Sequence, residues 1–234
     1  MKYTEEAIKQ GQILLVDKPL EWSSFQAVNK IKWAIKKAYR LKKIKVGHAG
    51  TLDPLATGLL VICTGKFTKK IPELQGLIKE YTGTITLGAT RPSYDMETEI
   101  DAEFPTDHIS PELIEETLNQ FRGEIDQYPP VFSALKKDGK RLYEFARKGE
   151  DVAIEPRKVE VHEFEITKYN LPQLEFRIVC SKGTYIRSLA HDLGKALNSG
   201  GYLSALRRTK IGDFNVDNAI NPLGFPEMLE SQDL

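Results

Sequence analysis

Hydrophobic and polar positions alternate along the chain in blocks of two kinds. "QILLVDKP" reads as a short buried strand closed by Pro19. In "SSFQAVNKIKWAIKKAYR", Phe25, Val28, Ile31, Ala34, Ile35 and Ala38 recur at helical spacing on one face, which is expected to pack inward on the body. Ser23 or Ser24 stands where a cap belongs. "LLVIC" is apolar throughout, and its periodicity does not separate a buried strand from the start of a helix. "EYTGTITLGAT" alternates as a strand. "SPELIEETLNQFRG" has the marks of a helix, with Ser110 as cap, Pro111 in the first turn and Gly123 as the stop.

"VEVHEFEITKYNLPQLEFRIVCSKG" predicts a hairpin whose second arm lines up Leu174, Phe176, Ile178 and Cys180. "GTYIRSLAHDLGKALNSGG" predicts a helix with Ile186, Leu189, Ala190, Leu193 and Leu197 inward. Helices and strands are interspersed without a regular βαβ rhythm, and no internal repeat or low-complexity tract interrupts them. The expected class is therefore α+β, a mixed and largely antiparallel sheet flanked by helices.

Composition adds little until charge is placed along the chain. The 234 residues carry 33 basic and 33 acidic side chains, so net charge names no partner. Between Glu21 and Asp53 there is no acid, while Lys30, Lys32, Lys36, Lys37, Arg40, Lys42, Lys43 and Lys45 crowd the interval. From Pro92 to Gln127, Arg122 is the sole Lys or Arg among many acids. Such segregation fits either one face built for a polyanion or a solvated lysine face. In "QYPPVFSALKKDGKRLYEFARKGEDV", basic groups interleave with Phe132, Tyr143 and Phe145, a pattern suited to phosphates and stacked bases, or to an ordinary helical insertion.

Cys63 and Cys180 lie far apart in apolar runs, which predicts buried reduced thiols in a cytoplasmic protein. Four scattered histidines give no metal-ligand spacing, and no apolar run approaches a membrane span. No metal site and no membrane span are therefore expected.

Two loops concentrate the candidate chemistry. In "VGHAGTLDPLATGLLVICTG", Gly47, Gly50 and Gly58 permit close backbone approach, and Pro54 drives Asp53 toward an extended conformation. Taken alone, such a carboxylate caps a helix more readily than it reacts. The loop has neither the order of a phosphate-binding P-loop nor a dinucleotide fingerprint. In "CSKGTYIRSLAHDLG", a strand end, a glycine turn and a helix start bring Tyr185 and Arg187 to one junction, and Arg is a bidentate partner for a carboxylate.

With "KEYTGTITLG", "SALKKDGKRLYEFARKG" and "LRRTKIG", these two stretches resemble the TruB family of tRNA pseudouridine-55 synthases. The motifs stand in family order from "LLVDKP" to about Gly212. The resemblance implies a pseudouridine synthase fold and a cofactor-free isomerisation of uridine in the T-loop of tRNA. The uridine is flipped out of its loop, its glycosidic bond is exchanged for a carbon–carbon bond, and an aspartate gives covalent catalysis.

By motif position the resemblance makes Asp53 the nucleophile and Arg187 the guanidinium that keeps it ionised and oriented. Tyr81 becomes the tyrosine that stacks on the base and assists proton removal. His48 supports the everted nucleotide, Tyr185 and Leu206 enclose the uracil, and Lys18 with Asp17 takes a structural or RNA-contacting role. The expected partner is the T-arm stem-loop of tRNA, bound by a monomer. Contacts would come from Lys30–Lys45, Arg207 and Arg208, and an RNA-clasping insertion over 127–152. The whole of 1–234 is expected to be one catalytic domain, because the residues after "RRTKIGDF" are too few for the C-terminal PUA domain of longer relatives. The competing readings are a non-catalytic tRNA-binding or tRNA-folding module, and a relative acting on a different uridine.

Overall fold

The computed structural model describes residues 3–230 apart from 134, 138, 147–149 and 151. Along the chain run α1 (Glu5–Gln10), β1 (Ile13–Lys18), α2 (Ser24–Ala38), β2 (Val46–His48), β3 (Ala56–Thr64), a 3-10 turn (Gly65–Lys70), α3 (Ile71–Gly76) and β4 (Lys79–Leu87). Then come β5 (Ala89–Thr90), β6 (Ala102–Glu103), α4 (Pro111–Leu118), β7 (Gly123–Gln127), β8 (Lys136–Lys137), β9 (Lys140–Arg141) and α5 (Leu142–Ala146). The hairpin β10 (Arg157–Asn170) and β11 (Gln173–Cys180), α6 (Ile186–Ala196), β12 (Gly201–Ile211), β13 (Phe214–Asn215) and α7 (Phe225–Glu230) complete it. These elements form two compact units, 1–81 with 207–234, and 82–206.

In the first unit the strand neighbours are β1-β3-β12-β4, with β2 on β3 and β13 on β12. β3 is the "LLVIC" run, and it is a strand. Leu60 and Ile62 join the cluster under α2 and α7, whereas Leu59, Val61 and Cys63 join the cluster with Ile211 and Val216. Burial on both faces is why no period-2 signal survives there. β1 alternates, with Leu14, Val16 and Lys18 buried.

α2 starts where Ser23 accepts from the Gln26 N–H and Gln26 reaches back, a capping box. Its inner face is Ser24, Ala27, Val28, Ile31, Ala34 and Ile35. The expected inward positions of Phe25 and Ala38 are wrong, for both are exposed, Phe25 by 69%. Ser24 takes the inward position because its hydroxyl is bonded to the Leu52 backbone (3.0 and 2.8 Å), which turns Phe25 about 100° away.

In the second unit the neighbours are β12-β4-β11-β10-β7. β10 and β11 pair antiparallel, and Leu174, Phe176, Ile178 and Cys180 are all buried, as the alternation predicts. α4 is capped by Ser110, which accepts from the Leu113 N–H at 3.2 Å, but it ends at Leu118 in a 3-10 turn before Gly123. α6 buries Ile186, Leu189, Ala190 and Leu193, together with Arg187 and Ser188. Both cysteines are buried, and neither is in a disulfide. Within the expected clasping insertion β8, β9 and α5 are formed, and positions 134, 138, 147–149 and 151 lie outside the described residues.

Candidate active site

The first unit holds Lys18, His48, Asp53 and Tyr81, and the second holds Tyr185, Arg187 and Leu206. In the first, β2 pairs with β3 through His48↔Ile62, and the chain then turns through 49–55 into β3. Three groups grip this loop, all through its backbone. Ser24 is bonded to both the N–H and the carbonyl of Leu52. Lys18 Nζ donates to Pro19 O (2.9 Å), Trp22 O (2.6 Å) and Pro54 O (3.4 Å). Arg208, 1% exposed, donates to Leu59 O (2.8 Å), Gly50 O (3.0 Å) and Thr51 O (3.4 Å). The Glu21 N–H also donates to Pro54 O at 2.9 Å.

The Asp53 side chain between these anchors is partly exposed. Two cationic side chains thus fix the loop by serving carbonyls, so the backbone beside the carboxylate is held without covering it. Gly50 and Gly58 sit at φ +105° and +103°, and a Cβ at Gly58 would lie 2.3 Å from the Arg208 carbonyl oxygen. The close passage of β3 and β12 requires glycine there.

Electrostatics follow from burial. Lys18 is wholly inaccessible, and desolvation lowers its pKa to about 8; the charges of Asp53 and Asp17 work against that shift and Arg208 with it. His48 is pushed below its ordinary value chiefly by burial, with a Gly50 backbone hydrogen bond opposing and the Arg208 charge adding. It is a neutral imidazole at pH 7. Asp17, on the opposite face of β1 from Lys18, takes both Arg207 terminal nitrogens (3.0 and 2.8 Å). Tyr81 is buried on β4, next to Glu80, whose carboxylate accepts from Thr209 (2.8 Å).

The reading of Arg208 as a surface phosphate contact is corrected by its burial. Adjacent residues on a strand face opposite ways, so only one of the "RR" pair could meet solvent.

In the second unit Arg187 lies in the first turn of α6 and is 4% exposed. One guanidinium nitrogen donates to Ser93 O (3.2 Å) and Phe132 O (2.9 Å), and Nε faces Asp95 at 3.6 Å. Asp95 is itself buried, and its carboxylate accepts from the Glu97 N–H at 2.9 Å. Ser93 and Thr98 tie the same loop through four short contacts. Tyr185 stands at the N-cap position of α6, and Gln127 clamps its backbone by accepting from its N–H (2.8 Å) and donating to its carbonyl (3.1 Å). The Arg157 guanidinium stands 5.9 Å from the Tyr185 ring centre. Leu206 is half-buried on β12.

Asp95 escaped sequence reasoning, since nothing in "PSYDMETEI" sets it apart from the surrounding acids. Among the described residues, no group of three or more His, Cys, Asp or Glu side chains is arranged to hold a metal ion. No helix among them is long and apolar enough to cross a membrane.

Residues 36–186 match the model of the TruB family pseudouridylate synthase N-terminal domain. Residues 187–223 match that of the tRNA pseudouridylate synthase B C-terminal domain. The chain is 67% identical over 228 residues to the tRNA pseudouridine synthase B of Flavobacterium johnsoniae, a match spanning 97% of this chain and 100% of the relative. It is 55% identical to the protein of that name from Phocaeicola vulgatus, over 97% and 96% of the two. Among solved structures, a Cbf5–Nop10–Gar1 complex contains a similar chain, with TM-score 0.73 and 28% identity. That match covers 100% of this chain and 60% of the other, so this chain spans about three-fifths of its length. An H/ACA RNP bound to a substrate RNA containing 2′-deoxyuridine gives a TM-score of 0.68 at 26% identity, covering 97% and 56%.

Proposed function

The chain belongs to the TruB family of pseudouridylate synthases, and from that premise we propose how its residues divide the work of a tRNA pseudouridine synthase. The enzyme converts uridine 55 of the T-loop to pseudouridine. The reaction breaks the N1–C1′ bond, forms C5–C1′, moves a proton off C5 and returns one to N1, with no net gain or loss of atoms. Nothing is oxidised or hydrolysed, so a nucleophile, a proton acceptor and an enclosed pocket suffice.

Asp53 is the nucleophile, forming a covalent adduct with the flipped nucleotide. The observation that carries this assignment is the grip on its loop: Ser24, Lys18 and Arg208 all bind backbone around a carboxylate that stays partly exposed. A reacting oxygen held so has its trajectory fixed before substrate arrives. Lys18 is a positioning residue, whose buried ammonium holds the Pro54 carbonyl beside Asp53.

Tyr81 stacks on the base and assists removal of the C5 proton. Neutral His48 supports the everted nucleotide, and Tyr185 with Leu206 encloses the uracil. Arg187 is the cation that serves the nucleophile, and its hydrogen bonds to the Ser93 and Phe132 carbonyls, with the Asp95 carboxylate 3.6 Å from Nε, orient the guanidinium. The substrate is tRNA, engaged through its T-arm by a monomer that needs neither metal nor organic cofactor.

Asp53→Asn tests the central assignment. The variant should form no pseudouridine in tRNA while its affinity for tRNA stays within a few-fold, because backbone contacts supply most of the binding energy. Pseudouridine formation by this variant, with deamidation back to Asp excluded by mass spectrometry, would remove Asp53 as nucleophile.

A further inference from the structure

A basin of about 610 Å³ opens on the first unit, and none of the residues lining it is acidic. α2 contributes Lys32 and Lys36, and the loop that follows it contributes Lys42, Lys43 and Lys45. These belong to the acid-free stretch of the sequence. Lys9, from α1, and Lys66 and Lys69, from the 3-10 turn, belong to segments the charge pattern did not single out. Eight ammonium groups from four stretches of chain therefore face one concavity. Among the described residues only Lys9 has a carboxylate partner, Glu5, and Lys66 donates to Gln10 at 2.7 Å.

The convergence is built into the backbone. Thr64 donates through its hydroxyl to Ile8 O (2.9 Å) and accepts from the Gln12 N–H (3.0 Å), and the Gly65 N–H donates to Lys45 O (2.9 Å). Gly65 lies at φ +51°, and a Cβ there would sit 2.2 Å from Lys9 O. The three segments that carry most of the lysines are thus locked at one glycine-dependent crossing. A chain with no net charge that gathers eight like charges and fastens them together has made a site for a polyanion.

β3 sets how far along the strand this site lies from the Asp53 loop. The Asp53 loop enters the strand at Ala56, and the basin begins at Gly65, directly after Thr64. Eight strand steps of about 3.3 Å separate the two ends by about 26 Å. At about 2.8 Å per base pair of an A-form RNA stem, that is about nine base pairs of helical rise.

We infer that the lysine basin docks tRNA phosphates about nine base pairs of stem away from the nucleotide presented to Asp53. This inference rests on the proposed tRNA reading and extends it. The basin is a second, remote contact that only an RNA long enough to span the distance can use. It is sequence-independent, because ammonium groups read phosphate and not base edges.

The test compares two RNAs and three proteins by equilibrium binding over a salt series. The RNAs are whole tRNA and a T-loop hairpin with a stem of about three base pairs. The proteins are the wild type, the combined Lys36→Gln, Lys42→Gln, Lys43→Gln and Lys69→Gln variant, and the same four positions changed to Arg. All four lysines are exposed, and circular dichroism checks that the fold is retained. The Gln variant should bind whole tRNA at least about tenfold more weakly, with a salt slope smaller by about three, and the Arg variant should restore both. The short hairpin should lose less than about threefold.

Unchanged tRNA affinity, an equal loss on both RNAs, or no rescue by Arg would each overturn the inference. Pseudouridine formation by the wild type is measured separately on the same tRNA. If that activity is present and the binding difference absent, the basin inference alone fails; if the activity is absent, the functional reading fails first.

Discussion

Replacing Lys18 by Met puts a number on what its buried ammonium costs the fold. The side chain is inaccessible, and burial brings its pKa from the ordinary 10.5 to about 8. Between those values the unfolded chain binds more protons than the folded one, so this residue makes stability rise with pH across that window. With a folded value of 8 and an unfolded value of 10.5, the contribution is under about 0.1 kcal/mol at pH 7 and about 1.4 kcal/mol at pH 9, relative to low pH. Lys18→Met lacks the term altogether. The variant also leaves the Pro19 and Trp22 carbonyls without their Lys18 donor and Pro54 O with the Glu21 N–H alone, a loss nearly the same at both pH values. Urea unfolding of both proteins at pH 7 and pH 9 therefore isolates the ionisation. The stability difference should move by about 1.4 kcal/mol in favour of the wild type on going to pH 9. A change below about 0.5 kcal/mol, or one of opposite sign, would mean that burial does not hold Lys18 as a strained ammonium.

Gly58→Ala should cost more than about 2 kcal/mol, because the new Cβ meets the Arg208 carbonyl oxygen in a backbone conformation that disfavours side chains. A thermal midpoint within about 2 °C of wild type would show that β3 and β12 can separate there freely. Arg187→Lys should lower kcat by at least about a hundredfold, since one ammonium cannot serve the Ser93 and Phe132 carbonyls, face Asp95 and keep a planar fork. Single-turnover kinetics with saturating tRNA gives the comparison, and near-normal turnover would reduce Arg187 to a brace for Asp95.

The stretches legible in the sequence were those where one face is buried and the other wet. The β10–β11 hairpin and α6 follow their periodicity because a single inward stripe sets the pattern. The "LLVIC" run kept its identity hidden for the opposite reason: β3 is covered on both faces, and continuous burial erases alternation. Phe25 misled because helical spacing alone gives it an inward place, whereas the inward place is taken by a serine whose partner, Leu52, is far along the chain. The same division holds in the site. Residues proposed to touch substrate lie in motifs and could be named, but the groups that hold Asp53 in place act on backbone carbonyls, and a carbonyl leaves no mark on a sequence. Lys18 looks like a strand-end lysine, and Arg208 like half of a basic pair. Only the fold shows that both are turned inward onto the loop that carries the carboxylate. Charge patterning marked one wall of the lysine basin and missed Lys9, Lys66 and Lys69, because that site is made by a crossing at Gly65 and not by a run of residues. Chemistry carried by side chains is written locally; the geometry that makes it usable is written in pairs of positions far apart.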